Sequence, residues 1–341
     1  MRAVIYTTPG GPEVLTLVDR EIPTPGPGEL LVRVHVSGVN PTDWRSRRAP
    51  GGSLAYPEIV PNQDGSGVIT AVGKGVSDDR IGERVWIYEA CYGRAFGTAQ
   101  EYLAIDEKKA VKLPGDANFD LGASLGIPAL TAHRCLSVGE QRRARLGPKT
   151  LKGETILVAG GAGAVGHFAI QLARWSGARV ISSVSSDEKA ELAVRAGANE
   201  TVNYHRDDVI AKIRDFAPEG VDAIVEVAPV ANHSINSGVL KEGGTIAIYA
   251  SGTDPLVIDI RSMMRLNAGI EFVYVYTVSK AAKRAAVKDV SRALKDGALG
   301  VGDEHGLPLV RFGLSETEQA HRAVEQATTG KIVIHTVDVL H

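Results

Sequence analysis

The sequence is poor in the features that announce most specialised classes of protein. Only two of its 341 residues are cysteine, Cys91 and Cys135. Two thiols cannot build a disulfide framework or a four-ligand zinc site, and scattered free thiols suit a reducing compartment. No apolar run reaches the length of about 18 residues that a membrane helix needs, and the apolar stretch before Thr7 is too short for a secretory signal. Lys and Arg total 38 against 40 Asp and Glu, a formal net charge of -2. No global field therefore recruits nucleic acid or a membrane surface. The H-E-x-x-H and G-x-S-x-G patterns are missing, and no repeat or low-complexity tract occurs. Ser186 and Lys189 match an S-x-x-K spacing, but without the companion motifs of that nucleophile class. What remains is a soluble, cytoplasmic chain with enough apolar material, 44% of residues, for two cores.

Two textures follow one another along the chain. The first 125 residues carry short runs rich in valine, isoleucine and leucine at 3–6, 14–18, 30–36, 68–72 and 84–88, divided by glycine and proline clusters. Such spacing predicts a barrel or sandwich. Beyond Leu125-Gly126-Ile127-Pro128 the pattern changes. Pro128 suits a first helical turn, continued over 129–136. Strand and helix then alternate: strands at 155–159, 178–184, 221–228 and 245–250, helices at 164–176 and 188–196. Alternation of this kind predicts a parallel, doubly wound sheet. The tail reads as a strand at 269–276, helices at 280–295 and 316–327, and a strand at 331–337. The arginine-rich stretch 141–152 reads as a solvated loop, with a polyanion or partner patch as the alternative.

The cofactor signal is local and specific. The strand 155–159 runs into Gly160-Gly161-Ala162-Gly163-Ala164-Val165-Gly166, in which Gly161, Gly163 and Gly166 match G-x-G-x-x-G between a strand and a helix. Gly161 is expected to permit the tight turn, Gly163 the approach of a pyrophosphate, and Gly166 close packing of helix on strand. The helix start, with Ala164 and Val165, offers N–H groups to phosphate. An NAD site usually places Asp or Glu at the tip of the second strand. Here that strand ends Val184-Ser185-Ser186, and no acid appears before Asp187. Ser186 and Lys189 can supply a hydroxyl and a cation to a 2′-phosphate, and Tyr204 can reach it, so NADPH is the expected dinucleotide. Lys189 and Tyr204 also fit plain surface roles.

Several segments in order resemble one family. These are 1–6, Gly10-Gly11-Pro12-Glu13, Gly38-Val39-Asn40-Pro41-Thr42-Asp43, Asp64-Gly65-Ser66-Gly67, Gly82-Glu83-Arg84-Val85, the glycine loop and Gly330-Lys331-Ile332-Val333. They resemble the zinc-free, zeta-crystallin-like quinone oxidoreductases of the medium-chain dehydrogenase/reductase superfamily. The resemblance implies an α/β fold: a discontinuous GroES-like β-barrel catalytic domain (1–125 and 272–341) and a Rossmann NADPH-binding domain (126–271). It implies a homodimer or homotetramer paired through the cofactor-domain sheets, with the nicotinamide held between the domains. At the positions of the catalytic zinc ligands of related alcohol dehydrogenases stand Asn40, Gln63 and Ile127, and the cysteine-rich structural zinc lobe is missing, so no metal is expected. Without a Lewis acid, acceptors that need little polarisation are favoured. A quinone is the leading substrate, and a conjugated enone or alkenal the alternative. A non-catalytic NADPH-binding protein with an RNA-binding or structural role is a third reading. The resemblance places Asn40, Asp43, Tyr56, Gln63 and Asp64 at the reaction end and Thr131, Ser251 and Lys331 at the cofactor. Asp43 can equally brace the turn after Asn40, Asp64 the local fold, and Tyr56 a packed loop. The chain differs from the family pattern at Asn62, where relatives usually place glycine, and in the long segment 137–152.

Overall fold

The computed structural model describes residues 1–140 and 144–337. It divides into two compact units: Met1–Ile127 together with the chain from Pro308 onward, and Pro128–Leu307.

In the first unit, β1 (Arg2–Ile5) pairs antiparallel with β2 (Thr16–Asp19). There follow β3 (Glu29–Gly38), α1 (Pro41–Arg48), β4 (Asp64–Val72), β5 (Arg84–Ile87), β6 (Tyr102–Asp106) and β7 (Ala110–Lys112), and then α2 (Phe119–Ser137), whose residues from Pro128 onward belong to the second unit. The second unit holds β8 (Thr155–Ala159), α3 (Ala164–Trp175), β9 (Arg179–Val184), α4 (Asp187–Arg195), β10 (Glu200–Asn203), α5 (Val209–Phe216), β11 (Val221–Glu226), α6 (Pro229–Val239), β12 (Leu240–Ile248), α7 (Ile260–Leu266), β13 (Gly269–Phe272) and α8 (Lys280–Lys295). The chain then returns to the first unit with β14 (Leu309–Gly313), α9 (Thr317–Glu325) and β15 (Lys331–His335).

The seven-stranded sheet of the first unit runs β14-β15-β3-β4-β5-β7, with β6 also on β3. β15 pairs parallel with β14 and antiparallel with β3, so a C-terminal strand completes an N-terminal sheet. Leu30, Val32, Val34, Ile69, Val85, Ile87, Leu103 and Ile105 form its core. Their period-two spacing on β3 is the pattern of a strand with one buried face.

The six-stranded sheet of the second unit runs β10-β9-β8-β11-β12-β13, with every pair parallel. The strand order reverses direction between β8 and β11, the switch point at which such sheets bind ligands. Leu157, Ile181, Ile224 and Ile246 lie in its core with Ile213 and Val239 from the flanking helices. β13 is an edge strand, and Phe272 on it is 76% exposed. No described helix is long and apolar enough to cross a membrane.

Two expectations are corrected. The helix expected to open at Pro128 opens at Phe119, with Pro128 inside it. Asn118 explains the earlier start, because its Oδ1 accepts the N–H of Leu121 at 2.8 Å and caps the first turn. The segment 272–307, expected with the barrel, falls in the second unit. Its polar groups find their partners there: Asp289 on α8 meets His133 at 2.9 Å, and the carbonyl of Gly300 accepts His167 Nε2 at 2.8 Å. The expected basic loop falls partly on residues 141–143, outside the described residues. Within it, Arg145 is committed to Asp289, with Nε 2.8 Å from Oδ1.

Candidate active site

In the first unit, Asn40, Asp43, Gln63, Asp64 and Lys331 come together between the end of β3, the start of α1, the start of β4 and the start of β15. Asn40 precedes α1, and Pro41 fills the first helical position, where its missing N–H costs nothing. Asp43 Oδ2 accepts the Asn40 N–H at 2.7 Å, and its Oδ1 accepts the Gln63 N–H at 3.2 Å. Asp43 therefore braces the turn, while lying in the same cluster as Asn40 and Asp64.

The Asn40 side chain is held at both ends. Its Nδ2 donates to Asp64 Oδ2 at 2.7 Å, and its Oδ1 accepts from Lys331 Nζ at 2.8 Å. Lys331 also donates to the carbonyl of Val39 at 3.0 Å, and it is only 2% exposed. Asp64 accepts the N–H of Ile127 at 2.9 Å, one residue before Pro128. A Cβ at Gly126 would overlap this carboxylate, so glycine is required there by close approach.

Two carboxylates and one ammonium are thus buried together. Burial, the largest influence, pushes the Asp64 carboxyl up to about 6, against the pull of Lys331 and of the Asn40 and Ile127 donors. Burial and then the Asp64 charge raise Asp43. Burial lowers Lys331, opposed by Asp64 and Asp43. Tyr56 stands in the loop before Ile59, half-buried and near Arg94.

The positions matched to zinc ligands do not suit a cation. Asn40 Oδ1 already accepts from an ammonium, Gln63 Oε1 accepts the N–H of Cys91 at 3.1 Å, and Ile127 offers only hydrocarbon. Among the described residues no group of three or more His, Cys, Asp or Glu is arranged to hold a metal. Elsewhere in this unit Asp120 is saturated by His335 at 2.9 Å and Arg311 at 2.8 Å, a clamp rather than a site.

In the second unit the glycine loop follows β8 at the switch point. The left-handed residue is Gly160, at φ 70°, and not Gly161 as the motif suggested. Gly161 is needed for close approach, since a Cβ there would overlap Ser182 on β9. A Cβ on Gly166 would overlap the carbonyl of Gly160, so helix and loop pack too closely for any side chain. Gly163, by contrast, is exposed, and a Cβ there meets nothing nearer than 3.4 Å. It is the N-cap of α3 and supplies no capping side chain, so the N–H groups of Ala164, Val165 and Gly166 remain for a ligand; Ala162 is buried beneath them.

At the tip of β9, Ser186 caps α4 by accepting the Lys189 N–H at 3.3 Å, and Lys189 Nζ lies 3.0 Å from Ser185 Oγ. Tyr204 follows β10, is 45% exposed, and its N–H meets the carbonyl of Val184 at 3.0 Å. Ser186, Lys189 and Tyr204 thus gather at one strand tip. Asp187, the first acid after β9, is paired with Arg206 at 3.0 Å. Thr131 is buried in α2, and Ser251 is exposed beyond β12.

Among the polar residues that escaped the sequence reading are two near the cofactor-domain strands. Arg206 is one. Glu226 is the other: fully buried at the end of β11, it accepts Asn232 Nδ2 at 2.9 Å and Asn236 Nδ2 at 2.7 Å. An acid ending an apolar strand, followed by two asparagines one helical turn apart, was the available signal.

A glycine loop on a doubly wound sheet in one unit, and a buried amide–carboxylate–lysine cluster in the other, define an oxidoreductase of the dehydrogenase and reductase class. Known proteins agree. The family described as "Alcohol dehydrogenase GroES-like domain" matches residues 26–115, and that described as "Zinc-binding dehydrogenase" matches 164–292. The quinone oxidoreductase of Lama guanicoe is 31% identical over 338 residues, covering 98% of this chain and 97% of its own. Mycobacterial Rv1454c, solved in complex with NADPH, is 27% identical with a TM-score of 0.80, over 98% of this chain and all of that one. A 2-haloacrylate reductase is 25% identical with a TM-score of 0.78, over 98% and 99% of the two chains. The chain belongs to the quinone oxidoreductase family of the medium-chain dehydrogenase/reductase superfamily, and it is an enzyme.

Proposed function

We propose that this enzyme is an NADPH:quinone oxidoreductase working without zinc. The observation that carries the cofactor choice is the tip of β9, where the strand itself ends without an acid, Lys189 Nζ lies beside Ser185 Oγ and Asp187 is paired with Arg206, while Ser186 caps α4 and also meets the Glu188 carboxylate. The NADPH bound by Rv1454c supports the same choice. Gly163 to Gly166 would hold the pyrophosphate, and Ser186, Lys189 and Tyr204 the 2′-phosphate. When bound, NADPH supplies the hydride.

The cluster around Asn40 forms the reaction end in this reading. Lys331 and Asp64 fix the flip of the Asn40 amide, so its remaining valence as a donor is the second Nδ2–H. One oriented N–H can orient and weakly polarise an acceptor oxygen, which is enough for a quinone that gains aromaticity on reduction. Tyr56 lines the acceptor pocket, with Thr131 and Ser251 toward the cofactor. Lys331 acts through Asn40. The likeness to a 2-haloacrylate reductase favours a second reading, reduction of a conjugated C=C bond.

The edge position of β13 in the described sheet, with exposed Phe272 on it and exposed Tyr274 just beyond it, supports a homodimer. The two free cysteines support a cytoplasmic home.

The test is titration of the purified protein with NADPH and NADH by ligand fluorescence, in the presence of chelator. An NADPH oxidation assay then compares a quinone with a simple enone. Tight NADPH binding and quinone turnover are expected. Equal binding of the two dinucleotides would overturn the cofactor choice, and turnover of the enone alone the acceptor.

A further inference from the structure

Asn62 adopts φ 77°, in the left-handed region that asparagine reaches more cheaply than most residues with a side chain. Its side chain is buried and used at both ends. Nδ2 donates to Ser37 Oγ at 2.9 Å, and Oδ1 faces His321 Nε2 at 2.9 Å. Ser37 Oγ lies 2.7 Å from Thr98 Oγ1, which donates to the backbone carbonyl of Asp64 at 2.5 Å.

The end of this chain fixes its direction. A carbonyl only accepts, so the single hydroxyl proton of Thr98 is spent on Asp64. Ser37 must then donate to Thr98 and accept from Asn62 Nδ2. That turns the amide oxygen toward His321, which must present Nε2–H. His321 is fully buried on α9, and burial followed by Arg47 holds its imidazole down to about 3, so the ring is neutral. Its Nδ1 has no hydrogen-bond partner among the described residues, as suits a bare lone pair.

We propose that Asn62 and His321 are positioning residues of the reductase site, holding the Gln63–Asp64 segment so that the Asp64 carboxylate meets Asn40. The inference rests on the reading of Asn40 and Asp64 as the reaction end. Three contacts depend on where this segment sits: Asp64 Oδ2 with Asn40 Nδ2, Asp64 with the Ile127 N–H, and the Gln63 N–H with Asp43.

The variants that test this are Asn62→Gly, His321→Leu and His321→Gln. Glycine keeps the backbone free to adopt φ 77° while deleting the amide. The readouts are kcat and KM with NADPH and 1,4-naphthoquinone, NADPH affinity by fluorescence, and amide exchange at Ile127. Asn62→Gly is expected to stay folded, to bind NADPH as before, to lose about tenfold in kcat, and to exchange Ile127 faster. His321→Leu should match it, the two together should be no worse than one, and His321→Gln, which keeps a donor, should recover most of kcat. Unchanged kcat and unchanged Ile127 exchange in folded Asn62→Gly would overturn the proposal. If the unmodified enzyme turned over no quinone, the functional reading would fail, and Ile127 exchange in Asn62→Gly would still decide the positional claim.

Discussion

Lys331 Nζ donates to Asn40 Oδ1 at 2.8 Å across 291 residues of chain, and this contact decides which pole of the Asn40 amide stays available. Lys331→Met should remove the restraint and leave Asp43 and Asp64 without their buried counter-charge. Breaking such a buried set costs about 3–5 kcal/mol. The melting temperature is therefore expected to fall, and kcat to fall more than NADPH affinity. A variant with unaltered stability and kcat would show that the ammonium restrains nothing.

The same cluster sets a pH dependence of stability. Folding raises the Asp64 carboxyl from 3.8 to about 6, and Asp43 moves the same way. Between about pH 4 and 6 Asp64 therefore holds more protons in the folded chain than in the unfolded one, and the stability it contributes declines as pH rises through that window. Asp289 has the opposite sign. It is held down to about 2, chiefly by His133 and Arg145 against the effect of burial, so its contribution is lost only as pH falls from near 3.8 toward 2. In urea unfolding, Asp64→Asn should lose less stability than the parent on going from pH 5 to pH 7. Parallel profiles would contradict the raised Asp64.

Lys189 is expected to discriminate between the dinucleotides. Removing one charged hydrogen bond to a 2′-phosphate costs about 1.5–3 kcal/mol, or roughly ten- to a hundredfold in Kd. Lys189→Ala should weaken NADPH by that factor and leave NADH within twofold. Equal weakening of both would assign Lys189 to α4 alone.

The β13 edge carries the quaternary expectation. Phe272→Glu would set a charge on an exposed apolar strand edge, and sedimentation should find a monomer where the parent is a dimer. A parent that sediments as a monomer would discard the expectation.

What could be read in the sequence was local. The helix Lys280–Lys295 and the strand Thr155–Ala159 fall where periodicity placed them, because each is long or tightly bounded. Pro128 misled because the cap that starts its helix, Asn118, lies ten residues upstream and only its contact with Leu121 reveals it. The segment 272–307 misled because Asp289 and Gly300 choose their partners by burial, not by adjacency. The cluster residues Asn40, Asp43, Gln63 and Asp64 were legible through resemblance, but their shared lysine was expected at the cofactor. The Asn62–His321 pair spans 259 residues and leaves no periodic trace.

β15 closes a sheet begun by β3, and this imposes an order of assembly. On a ribosome the second unit is complete as one unbroken stretch before β14, α9 and β15 are synthesised, while the first unit waits with its sheet unfinished. His321 and Lys331 arrive with those last segments, so the amide of Asn40 and the turn at Asn62 go without their anchors until synthesis is nearly done. An unfinished chain can therefore own a formed glycine loop and yet have no ordered cluster around Asn40.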